Sequence, residues 1–426
     1  MNKTLIKQAS ICIRDNEMAI KDVLFNEEEI LAIDDVIDDD QAVMIDGHGS
    51  LLMSGLIDGH VHLREPGFEQ KETIASGTMA AAHGGFTTIM AMPNLNPVPD
   101  DPKIMAAYQE RIAQNARVRV MPYAAITKQE QGAQVVDFHA LKAMGVKAFS
   151  DDGVGVQSDV IMREAMHQSA KESVLVAAHC EDMRYRLPKS CMHEGMRSRK
   201  LGVVGIPSVC EYAQIERDLH LVEETGAHYH ICHMSTKESV ELLAKAKEKG
   251  LDVSGEVTVH HLLLNENDVL PHGDYKMNPP LRSKEDQLAL IQGLKAGVID
   301  LIANDHAPHT AAEKAKGLVD APFGIVSLET AFPLLYTYLV KEGVLTLNEL
   351  LERMSKIPAK RFGLKRCGQL TVGAASDLVL VDLNRQWQID PDDFYSQGRS
   401  TPFAGWSVYG KIIMTIVDGK IVYKEA

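Results

Sequence analysis

Residues 55–67 read GLIDGHVHLREPG, an apolar run that ends in His60, His62 and Arg64 at intervals of two. On an extended strand and its immediate continuation that spacing turns all three side chains to one face, so two imidazoles and a guanidinium share a pocket. Alone the pair is weak. Among 17 histidines in 426 residues, about 0.7 His-x-His pairs arise by chance, and His228/His230 is a second one.

Outward from this stretch the same kind of run recurs. Leu56–His62, Thr87–Met92, Val118–Ala124, Val146–Ser150, Val174–His179, Tyr229–His233, Val253–Val257 and Asp300–Asn304 read as buried parallel strands, separated by helical stretches. One helix shows its ends. Ser235 stands three residues before Glu238 as a capping box, Val240, Leu243 and Ala244 follow as an apolar stripe, and Gly250 is the stop. Eight strands close a barrel, although a doubly wound open sheet gives the same alternation.

The strand ends favour the barrel. Asn94 follows the second strand, Asp152 the fourth, His179 ends the fifth, His233 the sixth, and Asp305 follows the eighth. Packing histidines have no reason to gather at the carboxyl ends of parallel strands, whereas barrel active sites are built there. Four imidazoles and two carboxylates exceed the needs of one tetrahedral zinc and suit two divalent ions sharing a bridging carboxylate. Zinc lowers the pKa of bound water to about 7, so the set points to hydrolysis at neutral pH.

Both chain ends differ from the middle. TLIKQASICI and QAVMID before residue 53, and SDLVLVDL and GKIIMTIVDGKIVY after 375, alternate as β-strands do. The expectation is an α/β chain: a (β/α)8 barrel over 54–365 with a small β-sandwich module assembled from 1–53 and 366–426. With 44 basic against 59 acidic side chains and a net charge of −15, general affinity for nucleic acid is excluded, and an anionic ligand needs a local cationic site. No apolar run approaches the length of a membrane span and the N-terminus lacks a signal-peptide core, which predicts a cytoplasmic protein. The six cysteines form no C-x-x-C pair and read as reduced, packed thiols. Cys180 and Cys232 alternate with the candidate ligands and are expected to point away from them. No phosphate-binding glycine loop is present.

DGHVHLREPG, MPNLNPVPD, KAFSDDGVGVQ, AAHCED, HICHMST, KMNPPLR and IANDHAPH, in that order, resemble the amidohydrolase superfamily and, within it, the bacterial class I dihydroorotases. The resemblance runs from about Gly55 to Phe362, and the terminal segments fit the family's small β-module. It implies reversible hydrolysis of the ring amide of dihydroorotate to N-carbamoyl-aspartate in pyrimidine biosynthesis, with two divalent ions, most simply Zn2+. By motif, His60 and His62 resemble ligands of one ion, His179 and His233 ligands of the other, and Asp152 the bridge. Asp305 resembles the catalytic base that also touches the first metal.

Arg64, Asn94 and His309 resemble a clamp on the substrate carboxylate, with His62 beside it. Asn278 and the Phe323–Gly324 backbone resemble contacts to the ring edge. A guanidinium suits bidentate carboxylate recognition. Leu95 and Asn304 depart from the threonines common in MPNTNP and ATDHAPH without removing a functional residue. Lys147, five residues before Asp152, leaves a carboxylated-lysine bridge open beside the favoured Asp152, and Asp151 is expected to be an exposed neighbour.

His83, His139, His167, His193, His220 and His272 are expected to serve packing or the surface. His228, His230, His260 and His261 are expected to support the site from behind. Two other classes of protein share the pattern: a hydantoinase, dihydropyrimidinase or allantoinase, whose uncharged substrates need no carboxylate clamp, and a silent dihydroorotase-like subunit supporting aspartate transcarbamoylase, which is expected to have lost ligands. The resemblance also implies a homodimer, with aspartate transcarbamoylase as a possible associate. The segment Thr310–Ala321 lies where it could fold over the site.

Overall fold

The computed structural model describes residues 3–425. The amino-terminal strands are β1 (Thr4–Arg14), β2 (Glu17–Phe25), β3 (Ile30–Asp34), β4 (Val43–Asp46) and β5 (Leu51–Ser54). The chain then enters β6 (Leu56–Val61), β7 (Phe86–Ala91), β8 (Arg119–Pro122), β9 (Ala148–Phe149) and β10 (Leu175–Ala178). A short pair, β11 (Met192–His193) and β12 (Gly205–Ile206), precedes β13 (His228–Ile231), β14 (Val253–Thr258) and β15 (Leu301–Ala303). The chain returns through β16 (Leu378–Gln388), β17 (Ser407–Val417) and β18 (Lys420–Lys424).

Strands β6-β7-β8 and β9-β10-β13-β14-β15 form two parallel arcs. Parallel bridges Ala124–Phe149 and Val61–His306 join the arcs at both seams, so the eight strands close a barrel. All eight coincide with the runs read from the sequence, with ends moved by up to a few residues. The barrel interior holds Ile57, Met90, Tyr123, Ala177, Leu301 and Phe362 as its apolar filling. The helices cover the outside and bury a larger core against the outer strand faces. Strand-interior positions are buried on both sides, which is why these segments read as continuous apolar runs.

The predicted capping box does not form, and the cap stands one residue later. In the helix Lys237–Glu248 the cap is Thr236, whose hydroxyl accepts from the Ser239 amide, and the buried stripe is Ser239, Leu243 and Ala246, with Val240 and Ala244 half-buried. Ser235 is drawn away instead, its amide donating to Glu211 at 2.9 Å. The helix ends before Gly250, which has φ +76°.

Strands β1–β5 and β16–β18 form one eight-stranded sheet, ordered β18-β17-β16-β5-β1-β2-β3 with β4 also on β1. Its core contains Ile6, Val23, Phe25, Leu52, Leu380 and Ile416, and the protein is thus a TIM barrel with a β-sandwich module drawn from both ends. Arg119, at the start of β8, donates to Asp377 at 2.6 Å and to Asp418 at 2.5 Å, tying barrel to module.

Candidate metal centre and active site

The strand ends bring four histidines and two aspartates into one buried cluster: His60, His62, Asp152, His179, His233 and Asp305. Their ligand atoms form two overlapping groups. In the first, His60 Nε2 lies 3.3 Å from Asp152 Oδ1 and 3.6 Å from Asp305 Oδ1, and His62 Nε2 lies 3.4 Å from Asp152 Oδ2 and 3.0 Å from Asp305 Oδ1. In the second, His179 Nδ1 and His233 Nε2 are 3.0 Å apart and lie 3.9 and 3.6 Å from Asp152 Oδ1. A tetrahedral ion with bonds of about 2.0–2.1 Å separates its ligands by about 3.3 Å, so the spacings fit a divalent metal. Asp152 is common to both groups. His60 Nε2 and Asp152 Oδ1 are buried without a hydrogen-bond partner, as expected of atoms reserved for an ion.

The backbone bends to achieve this. Arg64, His233 and Asp305 have φ of 62°, 32° and 47°, a left-handed region that non-glycine residues occupy at a cost. The bend at His233 also undoes the alternation expected of Cys232. Cys180 turns outward to the Tyr229 hydroxyl at 3.3 Å, but Cys232 joins the barrel filling and lies with His60 and Glu256 in a group whose polar atoms are within 4.8 Å of one another.

Behind the cluster stand carboxylates that the sequence reading missed. Glu256 accepts from His60 Nδ1 at 2.8 Å, from His230 Nε2 at 3.0 Å and from the His233 amide at 3.2 Å. Hydrogen on Nδ1 leaves the lone pair of His60 Nε2 free for a metal. Burial works to raise the Glu256 pKa, but the hydrogen bonds from His230 and His60 outweigh it and bring it to about 2. Asp58 accepts from the His60 amide at 3.0 Å and from Asn304 Nδ2 at 2.7 Å, and burial raises its pKa to about 7. For Asp152 and Asp305 burial acts upward as well, but the surrounding imidazoles, His60 foremost, hold both carboxyls below the usual range. Glu181, 3.5 Å from His179 Nε2, accepts from Asn278 Nδ2 at 3.1 Å and pairs with Arg186.

Above the cluster opens a cavity of about 550 Å3. Of the twelve residues that the resemblance assigned as ligands, base or substrate contacts, all but His60 line it. Arg64 Nε donates to Pro308 O at 3.3 Å, and its Nη2 is 3.5 Å from His309 Nε2. Asn94 Oδ1 is 2.9 Å from His62 Nδ1, leaving the Asn94 amide nitrogen as the donor on the wall. Gly324 has φ +132°, and a Cβ there would stand 2.5 Å from Ala307 O. Phe323 O lies 2.8 Å from His309 Nε2, and Asn278 Nδ2 lies 3.3 Å from His179 Nε2.

Other expectations are corrected. Asp151 is buried, not exposed, because it accepts from the amides of Ile126 at 2.7 Å and Thr127 at 3.0 Å. Lys147 precedes β9 at the far end of the barrel, exposed, with Nζ 3.2 Å from Gly363 O, and lines a separate cavity of about 900 Å3. It cannot reach Asp152's neighbours. His230 and His261 do lie behind the site, His261 between Thr258 Oγ1 at 2.7 Å and Pro279 O at 3.1 Å, whereas His228 is half-buried beside Asp252 at the other end of β13. His83 and His193 are buried, His83 against Glu329 and His193 beside Arg282. Thr310–Ala321 is built of two short helices, Ala311–Lys314 and Gly317–Asp320.

A TIM barrel with this histidine–aspartate cluster at its strand ends defines an amidohydrolase. Residues 49–239 match the Dihydro-orotase-like family model and residues 292–423 the Amidohydrolase family model. A dihydroorotase of Bacillus cereus is 51% identical over 423 residues, covering 99% of this chain and 98% of that one. A dihydroorotase of Anoxybacillus flavithermus is 54% identical over 388 residues, covering 91% and 90%. Among solved structures, an L-hydantoinase (dihydropyrimidinase) from Arthrobacter aurescens superposes with a TM-score of 0.89 at 26% identity, over 100% of this chain and 97% of that one. The dihydropyrimidinase from Brevibacillus agri, 24% identical with a TM-score of 0.86 over 99% and 95% of the two chains, shares the fold. The chain belongs to the dihydroorotase family.

Proposed function

We propose that this protein is a dihydroorotase, hydrolysing the ring amide of (S)-dihydroorotate reversibly to N-carbamoyl-L-aspartate in pyrimidine biosynthesis. One observation carries the reading: Arg64, Asn94 and His309 line the same cavity as Asp152 and Asp305. That gives a carboxylate clamp beside a hydrolytic centre in a protein of net charge −15. An uncharged hydantoin or dihydropyrimidine needs no such clamp, and a silent subunit has no use for a complete ligand set.

In this reading the clamp fixes the exocyclic carboxylate, while Asn278 and the Phe323–Gly324 backbone hold the ring edge. Two zinc ions per chain, held by His60, His62, His179, His233, Asp152 and Asp305, would polarise the ring carbonyl and lower the pKa of water to about 7. Asp305 accepts the proton of the attacking water as the C–O bond forms and returns it to the ring nitrogen as the C–N bond breaks. The surrounding imidazoles keep Asp305 ionised throughout the neutral range and therefore free to accept a proton.

The test is turnover of dihydroorotate by purified protein with metal measured on the same sample, then again after chelation and zinc restoration. Chelator-sensitive turnover near two metals per chain is the expected result. Metal binding with turnover of hydantoin but not dihydroorotate would transfer the protein to the hydantoinases. Failure to bind metal would favour the silent subunit. We further propose a cytoplasmic homodimer able to associate with aspartate transcarbamoylase; light scattering at working concentration and co-purification test the two contacts.

A further inference from the structure

His309 is buried with both ring nitrogens engaged. Nε2 lies 2.8 Å from Phe323 O, and Nδ1 lies 3.3 Å from Lys71 Nζ. A carbonyl can only accept a hydrogen bond and an ammonium can only donate one. Both contacts therefore demand the same neutral tautomer, with hydrogen on Nε2 and a bare Nδ1; Arg64 Nη2, a donor 3.5 Å from Nε2, asks the opposite of that nitrogen but stands at the outer limit of a hydrogen bond and is outweighed by the 2.8 Å contact to Phe323 O. The ring is neutral at pH 7, since burial, Arg64 and Lys71 together bring its pKa down to about 3.

Lys71 is held in place for this contact. Its ammonium pairs with Glu313 Oε1 at 3.1 Å and lies 5.7 Å from the centre of the Phe68 ring. Glu313 is itself fixed by the Thr310 amide and hydroxyl, each at 3.0 Å. The other oxygen of Glu313 stands 3.7 Å from His309 Nδ1, beyond hydrogen-bond range. Without Lys71 that carboxylate is the nearest partner for Nδ1 and draws the hydrogen there. Nε2 would then turn a lone pair toward the cavity and repel an anion.

We propose that Lys71 is a positioning residue that fixes His309 as an Nε2–H donor and so completes, with Arg64, the carboxylate clamp. With hydrogen on Nε2, the ring and Arg64 Nη2, 3.5 Å away, are two donors facing one space, and an entering carboxylate takes the Nε2 hydrogen from Phe323 O. The role assigned to the clamp rests on the dihydroorotase reading; the tautomer does not.

The experiment is nitrogen NMR of zinc-loaded protein carrying 15N-histidine, with His309 assigned by its loss in His309→Asn, in wild type, Lys71→Met and Lys71→Arg. Wild type should show the neutral Nε2–H form. Lys71→Met should move His309 toward Nδ1–H and raise KM for dihydroorotate about tenfold, the effect of one hydrogen bond to a charged group, with kcat changed less than about twofold. Lys71→Arg should restore both. An Nδ1–H form in wild type overturns the proposal even if Lys71→Met fails to fold, and so does a Lys71→Met protein with unchanged tautomer. A tautomer shift in protein that does not turn over dihydroorotate would sink the substrate reading and leave the role of Lys71 standing.

Discussion

Asp152 and Lys147 are five residues apart in sequence and at opposite ends of the barrel in space. Ala148–Phe149 is the strand that separates them, with Asp152 three residues past its end and Lys147 before its start. The assignment of the bridge to Asp152 therefore predicts that Asp152→Ala loses both bound metal and turnover, while Lys147→Ala keeps both. Metal analysis alongside activity decides it, and metal loss in Lys147→Ala would reverse the assignment. Glu256 acts one step back. Glu256→Gln keeps the volume but cannot accept equally from His60 and His230, so zinc affinity should fall about 10–100-fold, measured by competition with a coloured chelator. Unchanged affinity would reduce Glu256 to packing. The residues proposed as ligands were legible because they end or closely follow apolar runs. Glu256 and Asp58 were not, since a carboxylate within a buried strand announces a partner without naming it, and His60, the partner that ties Glu256 to the cluster, is 196 residues away. Lys71 was silent for the same reason: its meaning depends on a ring 238 residues further on.

At the scale of elements, the strands were readable to within a few residues because both faces are buried. The irregular pieces were not. Alternation failed at His233, where a positive φ ends the strand early, and the cap of Lys237–Glu248 moved because Glu211, on the helix Val209–Thr225, claims Ser235. The segment Thr310–Ala321 gave no sequence signal of how it is fastened. Lys314 is buried and donates to the carbonyls of Gly324 at 2.6 Å, Pro322 at 3.1 Å and Lys276 at 3.3 Å. It thus joins the loop after β15 to the loop that carries Asn278. Lys314→Met leaves the Gly324 and Pro322 carbonyls without that donor, while Lys276 O keeps the Gly324 amide at 2.9 Å, and should cost about 1–3 kcal/mol. Amide exchange should rise over residues 310–324 and KM should increase. Exchange unchanged in that segment would show that the short helices hold it without the lysine.

The whole molecule couples its stability to pH through buried imidazoles. Burial, with Arg282 adding to it, lowers the His193 pKa to about 4. An unfolded histidine titrates near 6.5, so as pH falls from about 6.5 to 4 the unfolded chain binds a proton that the folded chain refuses. The folded state then loses up to about 1.4 kcal/mol per pH unit from this group. His193→Asn should flatten the fall of the thermal midpoint across that window relative to wild type. Equal slopes would show that His193 titrates alike in both states. Metal release also weakens the protein in acid, but it affects both proteins and cancels in the comparison.

The barrel seam has a consequence for the order in which the protein comes alive. The His62 amide donates to His306 O at 2.9 Å where the first barrel strand meets the last, and the same seam sets His60 and His62 against Asp305. Ribosomes deliver His62 and Asp305, 243 residues apart, at roughly 5–20 residues per second. A nascent chain carrying the two histidines, Asp152, His179 and His233 still lacks the proposed base and the edge that closes the cylinder. In the proposed mechanism the last barrel strand is the ignition key: a chain ending before Asp305 is expected to show no turnover.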